Sequence, residues 1–466
     1  MTVTRETIAS RVGELVLENG YPTAATAALL YDTMDFHRAT QAYIWALPAI
    51  GFKALYDAQA KTLGTKNGDV LLYRDLADKA GMLTPNITTL YAFSFWDLAA
   101  QGPLVVEVPA GATAGGVLDI WQQPLCDMGQ TGPDRGEGGK YLILPPGHVA
   151  IDAPDHRIFQ SPSNQVWFGT RGLDPDKAVA EATVKKHRLY SWNDRANPPV
   201  TGYGEVAGRA WESAQPNDIR YWQLLAELYA NEPVAPRDRM MFGMLKPLGL
   251  EPGKPFAPDA RQAKLLADAA QVGDLMARTS AYAKRDTDAV VYPGKRWEYA
   301  VRFELDQENP EKTQVQFDAR GEWFYEAIGM STGMQGRVLG FGQVYLETAR
   351  DKDGNWLDGG KCYRMRVDAN PPVRQFWSIT LYDNLDRGPL VTAQGAADMS
   401  SRRPDLVTNA DGSVDVYFGP VKPAGATNWI QTLPGKGWFP YFRFYAATEA
   451  YFDKSWQLND IEEIAA

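Results

Sequence analysis

Cysteine and histidine are scarce in this chain, and their scarcity removes whole classes of chemistry. Cys126 and Cys362 lie far apart and form no CxxC pair. A chain of 466 residues buries a sizeable core without a staple, so both read as reduced core thiols rather than as a bridge between halves. The histidines are His37, His148, His156 and His187. They form no H-E-x-x-H and no pair at helix spacing, and there is no Cys cluster, so no metal site is expected. Asp351-x-Asp353 has Trp356 where a calcium loop needs glycine. Apolar runs are short as well: none approaches the ~18 residues of a membrane span. Met1–Thr7 lacks a basic segment leading into an apolar one, which is the pattern of a secretory signal. The expectation is a cytoplasmic protein without membrane association. A formal charge of −10 argues against nucleic-acid binding, which rests on clustered Lys and Arg.

Aromatic residues are plentiful, and they sit in alternating patterns. The first sixty residues read as helical, with a turn at Gly20–Pro22 and an apolar stripe of Phe36, Thr40, Tyr43 and Ile44 that Pro48 ends. Strands follow at 103–109, 116–121, 140–144 and 165–171. In the second, Asp119 and Trp121 share a face; in the last, Trp167 and Arg171 do. A helical middle begins at the N-cap Asn217, continues over 258–284 and adds a short helix at 316–328. Strands return at 344–350 and 361–367, flanking an Asp353-Gly354 turn read as a hairpin. Over 375–383, Trp377, Ile379 and Leu381 oppose Ser378, Thr380 and Tyr382. Over 439–445, Phe442 and Phe444 oppose Tyr441, Arg443 and Tyr445. Hairpin signals in place of crossover helices predict a mainly β, α+β multidomain chain with helical insertions. The predicted divisions are N-terminal helices over 1–62, a first β-sandwich over 63–200, a helical connector over 201–290 and a second β-sandwich over 291–466.

These segments resemble the bacterial family that pairs domains of unknown function numbered 1254 and 1214. The N-terminal likeness lies in Asp35-Phe-His-Arg-Ala39, in the run from Ala42 to Pro48, in Thr84-Pro-Asn86 through Tyr91, and in the block from Gly138. The C-terminal likeness lies in Pro371-Pro372, the run from Phe376 to Thr380, Tyr382-Asp383, Asn428-Trp429 and Arg443-Phe-Tyr445. Coverage is nearly end to end. Thr88 departs from the pattern, since many members carry Asp there. The resemblance implies two jelly-roll-like antiparallel β-sandwiches and a homo-oligomer, but no reaction.

Familiar catalytic motifs fail on context. Gly329-Met-Ser331-Thr-Gly333 fits a nucleophile elbow, which needs a strand before the serine and a helix after it. Here the order is reversed, and no histidine follows Ser331. Gly202-Tyr-Gly204 opens a G-x-G-x-x-A run, but a loop precedes it where a dinucleotide site needs a strand. No cofactor is expected. His187, beside Lys185, Lys186 and Arg188, reads as a solvated helix end.

Polar residues set among aromatics remain. His37, Asp119 and Tyr382 are candidates for acid–base roles; Asn86, Tyr91, Trp121, Trp377 and Arg443 are candidates for ligand binding. A charge inside a sandwich is paired or serves a ligand, because desolvating it alone is costly. The alternative is an outward polar face. Two functions follow: a cofactor-free hydrolase or lyase acting on a small organic substrate between the halves, or a small-molecule or glycan binder that stacks ligands on its aromatics.

Overall fold

The computed structural model describes residues 4–465. Among them are 22 strands and eight α-helices, so the chain is mainly β with helical insertions. In the first half, a six-stranded sheet runs Tyr203–Glu205, Val70–Tyr73, Leu90–Asp97, Gln165–Gly172, Thr113–Leu118, Pro124–Gly129. A four-stranded sheet packs on it, ordered His156–Gln160, Gly139–Leu144, Leu104–Val108, Arg188–Ser191. One face of each buries Leu72, Ala92, Val106, Tyr141, Ile143 and Phe168 between them, as the period-two alternation requires. The second half repeats the plan. Glu298–Tyr299, Gln343–Glu347, Trp438–Tyr445, Trp377–Asp383 and Asp398–Ser400 form one sheet; Asn428–Gln431, Val414–Gly419, Cys362–Val367 and Glu462–Ile464 form the other.

A helical layer fills the space between these sandwiches. Helices Ala24–Asp57, Ile219–Leu228, Ala260–Tyr282 and Phe317–Glu326 share one core with the outward faces of both larger sheets. The first of these does not stop at Pro48 as its sequence predicts; it continues to Asp57. Proline removes one helical hydrogen bond, but neighbouring carbonyls are used by side chains from other helices. Tyr221 donates to the Tyr43 carbonyl at 2.6 Å and Arg320 to that of Trp45 at 2.5 Å. Burial on every side, from Ala42 to Leu55, overrides the local break.

Two other expectations are corrected. Residues 5–22 are not helical; Arg5–Ser10, Gly13–Glu18 and Tyr21–Pro22 form a small antiparallel sheet that is largely exposed. Thr7, Ile8 and Val16 favour extended backbone, and Gly13 and Gly20 take the positive φ of its turns. Asp353-Gly354 does not pair the two strands on either side of it, which belong to different sheets; it turns a single antiparallel bridge between Arg350 and Trp356. Asp351 instead caps a tight turn, accepting from the amides of Asp353 and Asn355, and the chain crosses the sandwich there. No helix among the described residues is long and apolar enough to cross a membrane.

Candidate functional site

One cavity of about 230 Å³ lies where the two halves meet. Its first wall is the outward face of the six-stranded sheet, and strand register arranges that wall in rows. Trp167 stands between Phe95 and Leu118, Gly169 between Phe93 and Gly116, and Arg171 between Tyr91 and Ala114. Trp167 and Arg171 are thus four residues apart on one face, roughly 13 Å. The glycines of the middle row leave a trough between an aromatic end and a cationic end.

The second wall comes from the other half. Tyr345 pairs with Arg443, and Gln343 with Tyr445, on adjacent strands whose faces line the cavity. The Arg443 guanidinium lies 5.2 Å from the ring centres of Tyr345 and Tyr441 and 5.7 Å from that of Tyr382. It donates to the Thr84 carbonyl at 3.1 Å, the Tyr382 hydroxyl at 2.8 Å and Thr380 Oγ1 at 3.2 Å. Its Nε has no partner, and the residue is 1 % exposed. Arg171 packs 5.0 Å over Tyr91, bonds the Tyr345 side chain and lies 3.7 Å from the Met334 sulfur. Among the described residues, neither arginine has a carboxylate oxygen within 4.0 Å.

Nearby acids either have other partners or are disfavoured as anions by burial. Burial pushes the Glu326 carboxyl well above the usual range, and Glu347 beside it adds to the shift. Glu326 accepts from the Tyr441 hydroxyl, while Glu347 pairs with Lys284. Asp383 is taken by Lys436. Burial also raises Asp398 and the cavity-lining Asp127. Behind Tyr91, burial and then the field of Arg171 hold the Lys79 ammonium down to about 7. Lys79 donates to the carbonyls of Asn86 and Thr89 and sits 4.5 Å over the Tyr91 ring.

A short segment, Thr84-Pro85-Asn86, holds the walls together. The Thr84 carbonyl takes Arg443, the Pro85 carbonyl takes the Tyr382 hydroxyl at 2.7 Å, and the Asn86 amide meets the Tyr91 hydroxyl at 2.9 Å. The Asn86 side chain donates to the Tyr445 hydroxyl. Thr84 has φ +38°, an uncommon conformation for a β-branched residue and more so before proline. Such strain persists only where surrounding bonds over-determine it, as they do here.

Of the residues singled out from sequence, Tyr91 and Arg443 line this cavity, and Asn86 and Tyr382 hold them from behind. The other four lie elsewhere. His37 is exposed on the first helix. Asp119 follows the end of its strand and is not on a face shared with Trp121; it closes a turn by accepting from the amides of Trp121 and Gln123. Burial raises its carboxyl to about 6. Trp121 packs against Arg320 in the helical layer. Trp377 points into the second sandwich, because it alternates with Ser378, the cross-strand partner of Arg443. His187 is not solvated either. It is 2 % exposed, bonded to the Val184 carbonyl at 2.9 Å, and burial lowers it to about 4. Sequence reasoning missed Arg171, Tyr345 and Tyr445 as site residues, although the face shared by Trp167 and Arg171 was a usable signal. Ser331 lines the cavity, but none of the four histidines does. A helix precedes it and a strand follows, the reverse of an elbow. Among the described residues, no group of three or more His, Cys, Asp or Glu could hold a metal ion.

The crystal structure of a Vibrio parahaemolyticus protein is similar to this chain, with 18 % identity and a TM-score of 0.57, covering 92 % of this chain and 100 % of that one. This likeness is one of fold. An uncharacterised protein from Burkholderia cenocepacia matches at 11 % identity over 94 % of this chain and 97 % of its own, with a TM-score of 0.42. No curated protein matches. Two models of proteins of unknown function match, DUF1254 over residues 68–191 and DUF1214 over residues 342–449. The first spans most of one sandwich and the second most of the larger sheet of the other, so the cavity falls between them. The chain therefore belongs to the family that pairs these two domains of unknown function.

Proposed function

We propose that the cavity between the halves binds a small organic anion. One observation carries this reading: Arg171 from the first half and Arg443 from the second face one cavity, and among the described residues neither has a carboxylate partner. A buried charge without a counterion is costly, and it persists where a ligand supplies the missing charge. Tyrosine rings around both guanidiniums offset part of that cost. Pockets also favour domain interfaces.

A second reading, a cofactor-free hydrolase or lyase, draws support from Asp127. Its carboxyl lies in the cavity wall, is raised by burial, and leaves Oδ1 unpartnered while Oδ2 accepts from the Thr332 amide. A carboxyl whose burial favours its protonated form, in the wall of an anion pocket, is the raw material of a general acid. The test for binding is thermal unfolding with acetate, phosphate and matched ammonium salts at fixed ionic strength. Anions should raise the unfolding temperature and cations should not; equal shifts, or none, refute the reading.

A further inference from the structure

The anion reading says nothing about the rest of the ligand, but the rows of the first wall do. From Arg171 the face passes through Gly169 and Gly116 to Trp167, with Phe93 alongside. The Phe93 and Trp167 rings meet edge to face at 4.9 Å. From the other half, Gly329 lies against the Trp167 ring, and Trp323 and Phe341 also line the cavity. A ligand held at the arginines therefore lays its remaining atoms along glycine backbone and aromatic rings, with Asp127, the cross-strand partner of Gly116, at the edge of the same row. Inorganic anions would leave that trough empty.

The nature of the head group follows from the helix that abuts the cavity. Helix Phe317–Glu326 ends there, and Ala327, Ile328 and Gly329 after it line the wall. Its C-terminal end presents partial negative charge. Phosphate sites are built on helix N-termini and nests of backbone amides, the opposite polarity. Two forked cations beside a negative helix end suit one planar carboxylate better than a phosphate dianion.

Resting on the anion reading, we infer that the ligand is an amphipathic monocarboxylate: a carboxylate between Arg171 and Arg443, and an alkyl or aryl body along the Gly116–Gly169 trough towards Trp167. Calorimetric titration of the full chain with acetate, butyrate, hexanoate, octanoate, inorganic phosphate and hexylamine tests it. Affinity should tighten about fourfold per methylene until the trough is full. Phosphate and hexylamine should bind more weakly than hexanoate, and Arg443→Met should abolish the hexanoate signal. A flat chain-length series with acetate still bound, or phosphate binding tighter than hexanoate, overturns the ligand class and leaves the anion pocket standing. Hexylamine binding with no binding of any anion overturns both. Hexanoate binding that survives Arg443→Met places the fatty acids elsewhere and also overturns the assignment.

Discussion

Replacing Arg443 by methionine separates a structural arginine from one that serves a ligand. The substitution removes three hydrogen bonds from a charged donor, each worth about 1.5–3 kcal/mol against a neutral acceptor. It also removes the cost of burying an uncompensated guanidinium, which is several kcal/mol. Methionine fills much of the same volume and adapts to irregular spaces. The Tyr382 hydroxyl keeps its bond to the Pro85 carbonyl, so that group is not orphaned. The two sums nearly cancel, and the net change in stability should stay within about 2 kcal/mol, a shift of no more than about 4 °C for a chain of this size. Carboxylate affinity has no such compensation. Loss of one charged partner at a desolvated contact costs about 2–5 kcal/mol, roughly thirtyfold to several thousandfold in Kd. Arg443→Lys keeps the charge but loses the fork, and should fall between the two in affinity. Chemical denaturation and calorimetry on the three proteins provide the comparison. A large loss of stability with unchanged affinity in the folded protein would show that Arg443 is structural and refute the reasoning.

Three further outcomes are expected. His187 is lowered from 6.5 to about 4 by burial, so its contribution, on the order of 3 kcal/mol, is full above pH 6.5 and is lost as pH falls towards 4. Glu232 and Glu322, raised by burial to about 7, act in the opposite direction, so the readout is the difference between wild type and His187→Leu across pH 7.5 to 4.5; a flat difference contradicts the assignment. Gly169→Ala puts a methyl 3.4 Å from the Phe93 ring, which the fold can accommodate, and it should flatten the chain-length dependence of carboxylate binding; an unaltered series would mean the trough is not used. Ser331 should resist serine-directed covalent inhibitors and Ser331→Ala should bind hexanoate as wild type does, since no histidine lines the cavity; stoichiometric labelling of Ser331 would contradict this.

Much of this was legible where one face of a strand settles the matter. Alternation over 439–445 put Arg443 with Tyr441 and Tyr445, away from Phe442 and Phe444, and the molecule is built that way. The same alternation set Trp377 on the face opposite Tyr382, five positions away, so the two could not both belong to one cavity wall. Asp119 failed for a different reason. The strand ends at Leu118 and the chain turns, and an aspartate that bonds amides two and four residues ahead is a turn former as readily as a strand residue. Pro48 misled because tertiary burial outweighs a local helix breaker. Arg171 and Arg443 stand 272 positions apart, and no local pattern could reveal that they share a cavity.

The segment Thr84-Pro85-Asn86 belongs to one domain and grips the other, and each domain contributes one of the two cations. On the proposed reading, neither half alone holds a complete site. A carboxylate spanning both guanidiniums would act as a reversible crosslink, its binding energy counting towards the docking of the halves as well as towards occupancy. At a hundredfold excess over Kd that linkage amounts to about 2.7 kcal/mol. Calorimetric unfolding, if it resolves two steps in the empty protein, should draw them together into one as the ligand saturates.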